Sequence, residues 1–492
     1  MSTLSPTRMA SDRRPGPARH PDTKGIALAL VLGAQLMIIL DMTVVNIALP
    51  SIARGLHFSA PSLSWVLNAY TLTFGGLLLL GGRAGDILGR RRVFIAGIVL
   101  FTAASLAGGL ATSAAWLLAA RAVQGAGGAI ASPAVLALIT SSFSEGRERT
   151  RALSIYTAVA MGGGSLGLVL GGVITEWVSW RWVLFINVPI GIAVALTAPV
   201  FLSESQRQPG RFDITGALTS TAGMTALVYG FIRAASDGWG NAVALGAFAA
   251  AAMLLGLFVL NESRARQPIT PLRLFADRGR AGSYLARLLL VAGMYGMFFF
   301  LTQFVQEILG FSPLRAGFSF LPMTAALFIV SRLSPRLLGR FPARSLMVAG
   351  LLPVVSGMTW LSRIAPGTGY PAGVLGPMLL IGAGMGLVFV PLTIASLAGV
   401  RPEDSGAASS MVNVTQQVGG SLGLAILVTA FSGASRAAAR HSLAHLAPLA
   451  QAHQAVVHGM ASAFTLAAIF DVCALLVVLA IVRAQRPPNV IA

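Results

Sequence analysis

Apolar residues run in stretches of about 20 along almost the whole chain, broken by short polar or Gly/Pro-rich clusters. As helices, runs of that length match the hydrocarbon thickness of a bilayer. Fourteen are counted, at 25–49, 62–82, 93–111, 114–138, 152–174, 183–202, 213–234, 242–260, 282–305, 315–333, 345–363, 373–395, 406–430 and 459–483. The pattern predicts an all-α integral membrane protein with fourteen transmembrane helices. Composition agrees: 55% of the 492 residues are hydrophobic, 10% are charged, and the mean hydropathy is +0.77. Soluble domains carry about 25% charge.

The net charge of +19 could suggest a nucleic-acid partner until the arginines are placed. With both termini cytoplasmic, 26 of the 35 Lys and Arg fall in the tails and alternate loops on that side, and seven on the other. That bias is the positive-inside signal of a multi-pass protein of the cell membrane, so no nucleic acid is needed to explain it. Residues 1–24 are polar and Arg-rich with no apolar core, and read as a cytoplasmic tail rather than a cleavable signal. The single cysteine, Cys473, excludes an intramolecular disulfide.

The chain repeats itself. "GGSLGL" occurs at 163–168 and 419–424, "GAG" at 125–127 and 382–384, and "ILGR" at 87–90 is echoed by "LLGR" at 337–340. The near-constant offset predicts two six-helix bundles with a pseudo-two-fold relation, plus two inserted helices. The divisions are a tail at 1–24, a first bundle at 25–202, an inserted pair with flanking loops at 203–281, a second bundle at 282–483 and a tail at 484–492. Such repeats place a substrate site near mid-membrane, between the halves.

Two charges at hydrocarbon depth in the first half demand explanation. Asp41 stands in "IILDMTVVNIALP" (38–50) and Arg121 in "LLAARAVQGAGGA" (117–129), with Gln124 on the same helical face as Arg121. An intramembrane charge costs about 2.5–3.5 kcal/mol on insertion scales and is normally paired or functional. Apolar surroundings favour a protonated carboxylate and a nearby guanidinium opposes this, so a change in their proximity would make Asp41 a proton switch. A structural acid bonded to neighbouring hydroxyls such as Thr43, and a structural arginine bonded to carbonyls, are the plain alternatives.

Three further segments carry a recognisable pattern. "GGRAGDILGRRRVF" (81–94) sets one acid, Asp86, among four arginines, with Gly82, Gly85 and Gly89 permitting a tight turn. "GGGSLGLVLGG" (162–172) puts Gly163, Gly167 and Gly171 on one face, with Gly172 beside them, as close helix packing requires. "WRWVLFINVPIG" (180–191), "SDGWG" (236–240) and "GFSPLRAGFSFLP" (310–322) complete the set. Together these resemble the major facilitator superfamily, in its fourteen-span drug/proton antiporter branch. The resemblance implies a cytoplasmic latch between the halves built on Gly82, Asp86, Gly89 and Arg90, and proton coupling through Arg121 and the first-helix acid Asp41. It also implies an antiporter motif at Gly163, Gly167, Gly171 and Gly172. Leu168 stands where that motif has proline, and Arg336 replaces the acid in the second copy of the latch.

Weaker signals remain. Gln124, Gln303, Asn413, Gln416 and Gln417 could bond substrate or simply join helices. Asp471 in the last span is a candidate second acid, better read as hydrogen-bonded and structural. His441, His445, His453 and His458 fall in the expected loop 431–458, but no Cys or carboxylate joins them, so no metal site is expected.

The reading is proton-coupled efflux of small amphipathic drugs or antibiotics by a monomer, with protons as the coupling ion, no cofactor and no enzymatic reaction. Neither a nucleotide-binding G-x-x-x-x-G-K-[ST] nor a polar catalytic cluster is present. Proton-coupled uptake of a nutrient in the same fold, or a non-transporting membrane receptor, are the alternatives.

Overall fold

The computed structural model describes residues 21–143, 147–204, 212–265, 270–401, 405–441 and 448–482, with single positions 207 and 268. Its described residues form an all-helical molecule. Fourteen long helices follow one another: α1 Pro21–Leu56, α2 Trp65–Leu88, α3 Arg90–Gly109, α4 Ala114–Ser142, α5 Arg147–Trp177, α6 Asn187–Phe201, α7 Ile214–Asp237, α8 Ala242–Arg264, α9 Arg278–Gln303, α10 Leu321–Leu338, α11 Ala343–Leu361, α12 Gly376–Leu397, α13 Ser405–His441 and α14 Pro448–Ala480. Short helical turns at Trp182–Phe185 and Pro313–Ser319 lead into α6 and α10. Twelve helical segments among the described residues are long and apolar enough to cross a membrane. The two long helices outside that set are α5 and α7, at the positions of the expected fifth and seventh spans.

Several boundaries differ from expectation. The Gly-rich stretch 81–94 is not a loop: α2 runs on to Leu88 and α3 starts at Arg90, leaving Gly89 as the only break, at φ +104°. Of the glycines before it, Gly81 serves close helix contact, since a Cβ there would run into the Ala129 carbonyl of α4, whereas a Cβ at Gly82 or Gly85 would meet only ordinary contacts, at 3.6 and 3.7 Å. The expected 431–458 loop is largely helical, because α13 continues to His441 and α14 begins at Pro448. His445 and the side chain of His441 lie outside the described residues, while His453 and His458 are exposed. The tail calls at 1–24 and 484–492 fall mostly outside them too, though Pro21 already opens α1.

The sequence repeat reappears as repeated packing. In the two GAG copies, Gly125 closes on the Tyr70 carbonyl of α2 and Gly382 on the Met323 carbonyl of α10. Likewise Gly127 meets Phe101 of α3, and Gly384 meets Gly350 of α11. In the two GGSLGL copies, Gly163 and Gly167 approach α1, while Gly419 and Gly423 approach α9. These glycine contacts thus relate α1–α5 to α9–α13 in order. The intervening pair α7–α8 packs against α13 and α2. Thr429 donates to the Phe231 carbonyl at 2.9 Å, and Thr221 lies against Gly76. Asp213 caps α7 and accepts from Asn261 of α8 at 3.0 Å, which ties the pair together.

The halves join away from the Gly89 end. Gln306 donates to the Ile47 carbonyl at 2.9 Å, the Leu314 amide to Glu176 Oε2 at 2.8 Å, and the Thr71 and Ser421 hydroxyls bond each other. One apolar core there runs through both halves, from Val44–Ile52 to Phe299–Val305 and Phe464. Towards Gly89 the first half has its own core, around Ile38, Phe94, Val135 and Ala198.

Candidate functional site

Asp41 lies on α1 about 22 Å from the helix end at Leu56, at 1.5 Å per residue, and is 1% exposed. Arg121, equally buried, reaches it from α4, with Nη1 donating to Asp41 Oδ2 at 2.5 Å. Spacing i, i+3 on α4 brings Gln124 to the same place. Its amide nitrogen donates to Asp41 Oδ1 at 2.7 Å and to Ser105 Oγ at 2.8 Å, and its oxygen accepts from Arg121 Nη1 at 2.7 Å. Asn187, the first residue of α6, adds a donor to Asp41 Oδ1 at 2.9 Å and to Ser105 Oγ at 2.9 Å. Ser105 in turn donates to the Leu184 carbonyl at 3.1 Å. The guanidinium also donates through Nε to the Val66 carbonyl at 3.1 Å and sits 4.4 Å from the centre of the Tyr70 ring.

Donors from α4 and α6 therefore meet on the one carboxylate of α1, which accepts three hydrogen bonds, while α2 and α3 hold those donors in place. The motif 180–191 supplies the last of them. Arg181 Nη1 holds the carbonyls of Gly109 and Ala111, at 3.0 and 2.5 Å, and fixes the turn from which Asn187 enters the bundle. A buried ion pair is net stabilising only when its remaining polar atoms are bonded. Here the carboxylate and the guanidinium both have that company, the carboxylate from Gln124 and Asn187 and the guanidinium from Gln124 and the Val66 carbonyl.

Thr43 does not bond Asp41; its hydroxyl donates to the Ile39 and Leu40 carbonyls at 3.2 and 3.1 Å, because it faces α5 at Gly167. Gln124, 1% exposed, joins helices in this structure, bonding Asp41 of α1 and Ser105 of α3. Ser105, Asn187 and Tyr70 were not singled out from the sequence. Asn187 sits inside a quoted motif, but only the α6 entry shows where its amide points.

The other candidates are dispersed. Asp86 pairs with Arg90 across Gly89 at 3.1 Å. The neighbouring Glu204, unforeseen, accepts from the Arg91 and Arg92 amides at 3.0 and 3.3 Å and so caps α3. Gly82 faces Pro133 of α4, and Gly89 faces the Glu204 carboxylate. On α5, Gly163, Gly167 and Gly171 pack on α1, but Gly172 turns to the other half, where a Cβ would lie 2.6 Å from the Pro313 carbonyl oxygen. Gln417 accepts from Tyr295 at 3.0 Å and joins α13 to α9; Gln303 donates to Phe299 of its own helix at 3.1 Å. Asn413 is exposed and Gln416 half-buried on α13. Asp471 is fully buried, yet among the described residues neither carboxylate oxygen has a hydrogen-bond partner, contrary to a hydrogen-bonded structural acid; Gly293 of α9 lies against it.

Known proteins place this arrangement. The chain is 44% identical over 428 residues to the cephamycin export protein CmcT of Amycolatopsis lactamdurans, covering 86% of this chain and 88% of that one. It is 41% identical over 476 residues to the puromycin resistance protein pur8 of Streptomyces alboniger, covering 96% and 92%. Among solved structures, the fold resembles a bacterial homologue of the human lysosomal transporter Spinster at TM-score 0.66 and 17% identity, over 96% of this chain and 100% of that one. A mutant of the nucleoside transporter NupG follows at TM-score 0.63 and 12% identity, over 92% and 99%. Residues 31–424 match the family description itself, and the chain is a multi-pass membrane protein belonging to the Major Facilitator Superfamily.

Proposed function

We propose that the protein exports small amphipathic drugs or antibiotics from the cell by alternating access, driven by protons that enter through Asp41. The observation that carries this reading is the buried Asp41–Arg121 pair with its Gln124 and Asn187 donors. The export and resistance roles printed for the cephamycin and puromycin relatives support the substrate class and the direction of transport.

The geometry supports the following cycle. In the arrangement described, the halves are joined at the end far from Gly89, and Asp41 is sealed and bonded to Arg121. With the Arg-rich 83–92 side in the cytoplasm by the positive-inside rule, this is a state closed to the outside. Rocking the halves about the mid-membrane site opens the outer end. A proton then reaches Asp41, neutralises it and frees Arg121. A membrane potential supplies about 2.3 kcal/mol per charge per 100 mV to that inward step. Return to the inward state re-forms the ion pair and expels the proton to the cytoplasm. Asp86 and Arg90, which bond each other across Gly89 in the present state, act as the latch of the alternate, cytoplasm-closed state. Helices α5 and α7 complete fourteen spans, both termini lie in the cytoplasm, and the transporter works as a monomer without a cofactor.

The test is reconstitution into proteoliposomes with an imposed pH gradient, ethidium flux and proton flux being followed together. Uphill ethidium movement in exchange for protons is expected. Movement of both in the same direction would establish proton-coupled uptake instead.

A further inference from the structure

The membrane interior holds a second arginine, and among the described residues no carboxylate pairs with it. Arg287 lies on α9, about 14 Å along the helix from Arg278 at 1.5 Å per residue, and is 3% exposed. Its Nη2 donates to Thr393 Oγ1 of α12 at 2.6 Å, and its guanidinium carbon lies 5.7 Å from the Phe389 ring centre, also on α12. The buried Nε has no hydrogen-bond partner, and among the described residues no carboxylate forms an ion pair with Arg287. Asp471, the other buried acid of this half, faces Gly293 on the side of α9 covered by α14.

The contrast with the first half is informative. The repeat matches α9 and α12 to α1 and α4, the helices that carry Asp41 and Arg121. Both halves therefore place an arginine between the same pair of helices, but only the first supplies its counter-charge. A guanidinium buried without an anion is costly, and intramembrane arginines normally pair or face a water-filled path. Its planar fork suits a carboxylate in two-point contact, and Nε is still free to take part. The aromatic face of Phe389 beside it favours a ligand that is apolar next to its charged group.

We propose that Arg287, oriented by Thr393, is the anchor for the carboxylate of an anionic amphipathic substrate, on the second-half wall of the transport path. This rests on the efflux reading for its place in a transport cycle, but not for the binding itself. The guanidinium supplies the charge that the substrate lacks, and Phe389 lines the adjoining apolar part.

Binding separates this proposal from efflux. The full-length protein in nanodiscs is titrated with 11-(dansylamino)undecanoic acid and with its methyl ester, empty nanodiscs serving as blank. Wild type is expected to bind the acid about tenfold more tightly than the ester, as one charge-assisted contact allows. Arg287→Gln should abolish that preference by weakening the acid alone. Arg287→Lys should keep part of it, since the charge stays and the fork is lost. Equal binding of acid and ester by wild type would overturn the proposal, and so would equal weakening of both by Arg287→Gln. If Arg287→Gln does not fold, the wild-type ratio and Arg287→Lys decide. An acid preference that depends on Arg287, in a protein that moves no probe against a pH gradient, would remove the efflux reading and leave the anion site standing.

Discussion

The carboxylate of Asp41 and the guanidinium of Arg121 meet at 2.5 Å in the interior of the first bundle, although 80 positions separate them along the chain. The contact ties α1 to α4, and in the proposed cycle it is the charge pair that an entering proton breaks. The cost of removing either member therefore falls on stability and on coupling together.

Asp41→Asn leaves Arg121 buried without its anion. A loss of about 3–5 kcal/mol is the scale for breaking a buried pair. The variant should melt at lower temperature by size-exclusion fluorescence and should lose pH-driven export while retaining some ethidium binding. Neutralising both residues, as Asp41→Asn with Arg121→Gln, should restore much of the stability and none of the coupling. Gradient-driven export by Asp41→Asn at the wild-type rate would point to Asp471 as the proton carrier.

Asn187→Leu removes one donor to Asp41 and keeps the ion pair. Fewer hydrogen bonds to the charged form favour protonation. The pH profile of export should move towards higher pH, with maximal flux reduced by less than in Asp41→Asn. Flux against pH in proteoliposomes measures this; an unmoved profile would detach Asn187 from the proton step.

At the far end of the bundle, Gly172 admits the Pro313–Leu314 backbone of the opposite half. A valine there cannot fit while that end is closed. Gly172→Val should therefore slow export severalfold and increase labelling of an introduced cysteine at Leu314 from outside, in a Cys473→Ala background. Unchanged labelling would show that the contact does not gate access.

Asp86→Asn breaks a half-exposed pair to Arg90. Exposed pairs are worth about 0–1 kcal/mol, so expression and melting should stay close to wild type. Export should nevertheless fall, because the pair is assigned to the alternate state. Export from intact cells at the wild-type rate, at equal protein level, would contradict the latch.

Reporter fusions test the fourteen spans. A cytoplasm-active reporter should work after residue 207 and fail after residue 240, and an export-active reporter should do the reverse. The same result at both positions would mean that α7 does not cross.

What the sequence determined is what depends on neighbours along the chain. Runs of about 20 apolar residues set the helices, arginine asymmetry sets the predicted sides, and one acid and one arginine at hydrocarbon depth announce the site. The i, i+3 spacing of Arg121 and Gln124 already placed them on one face. Tertiary packing decided what those groups touch, because hydrogen-bond partners come from other helices and no periodicity encodes them. Asn187 reaches Asp41 only because Arg181 pins the turn before α6, and Gln124 is spent on the network only because Ser105 faces it from α3. Thr43 stands two residues from Asp41 and yet turns towards Gly167, since successive helical residues point about 100° apart. The isolation of Arg287 was equally hidden. A sequence shows an intramembrane arginine, but only the packed bundle shows that, among the described residues, no acid comes to meet it.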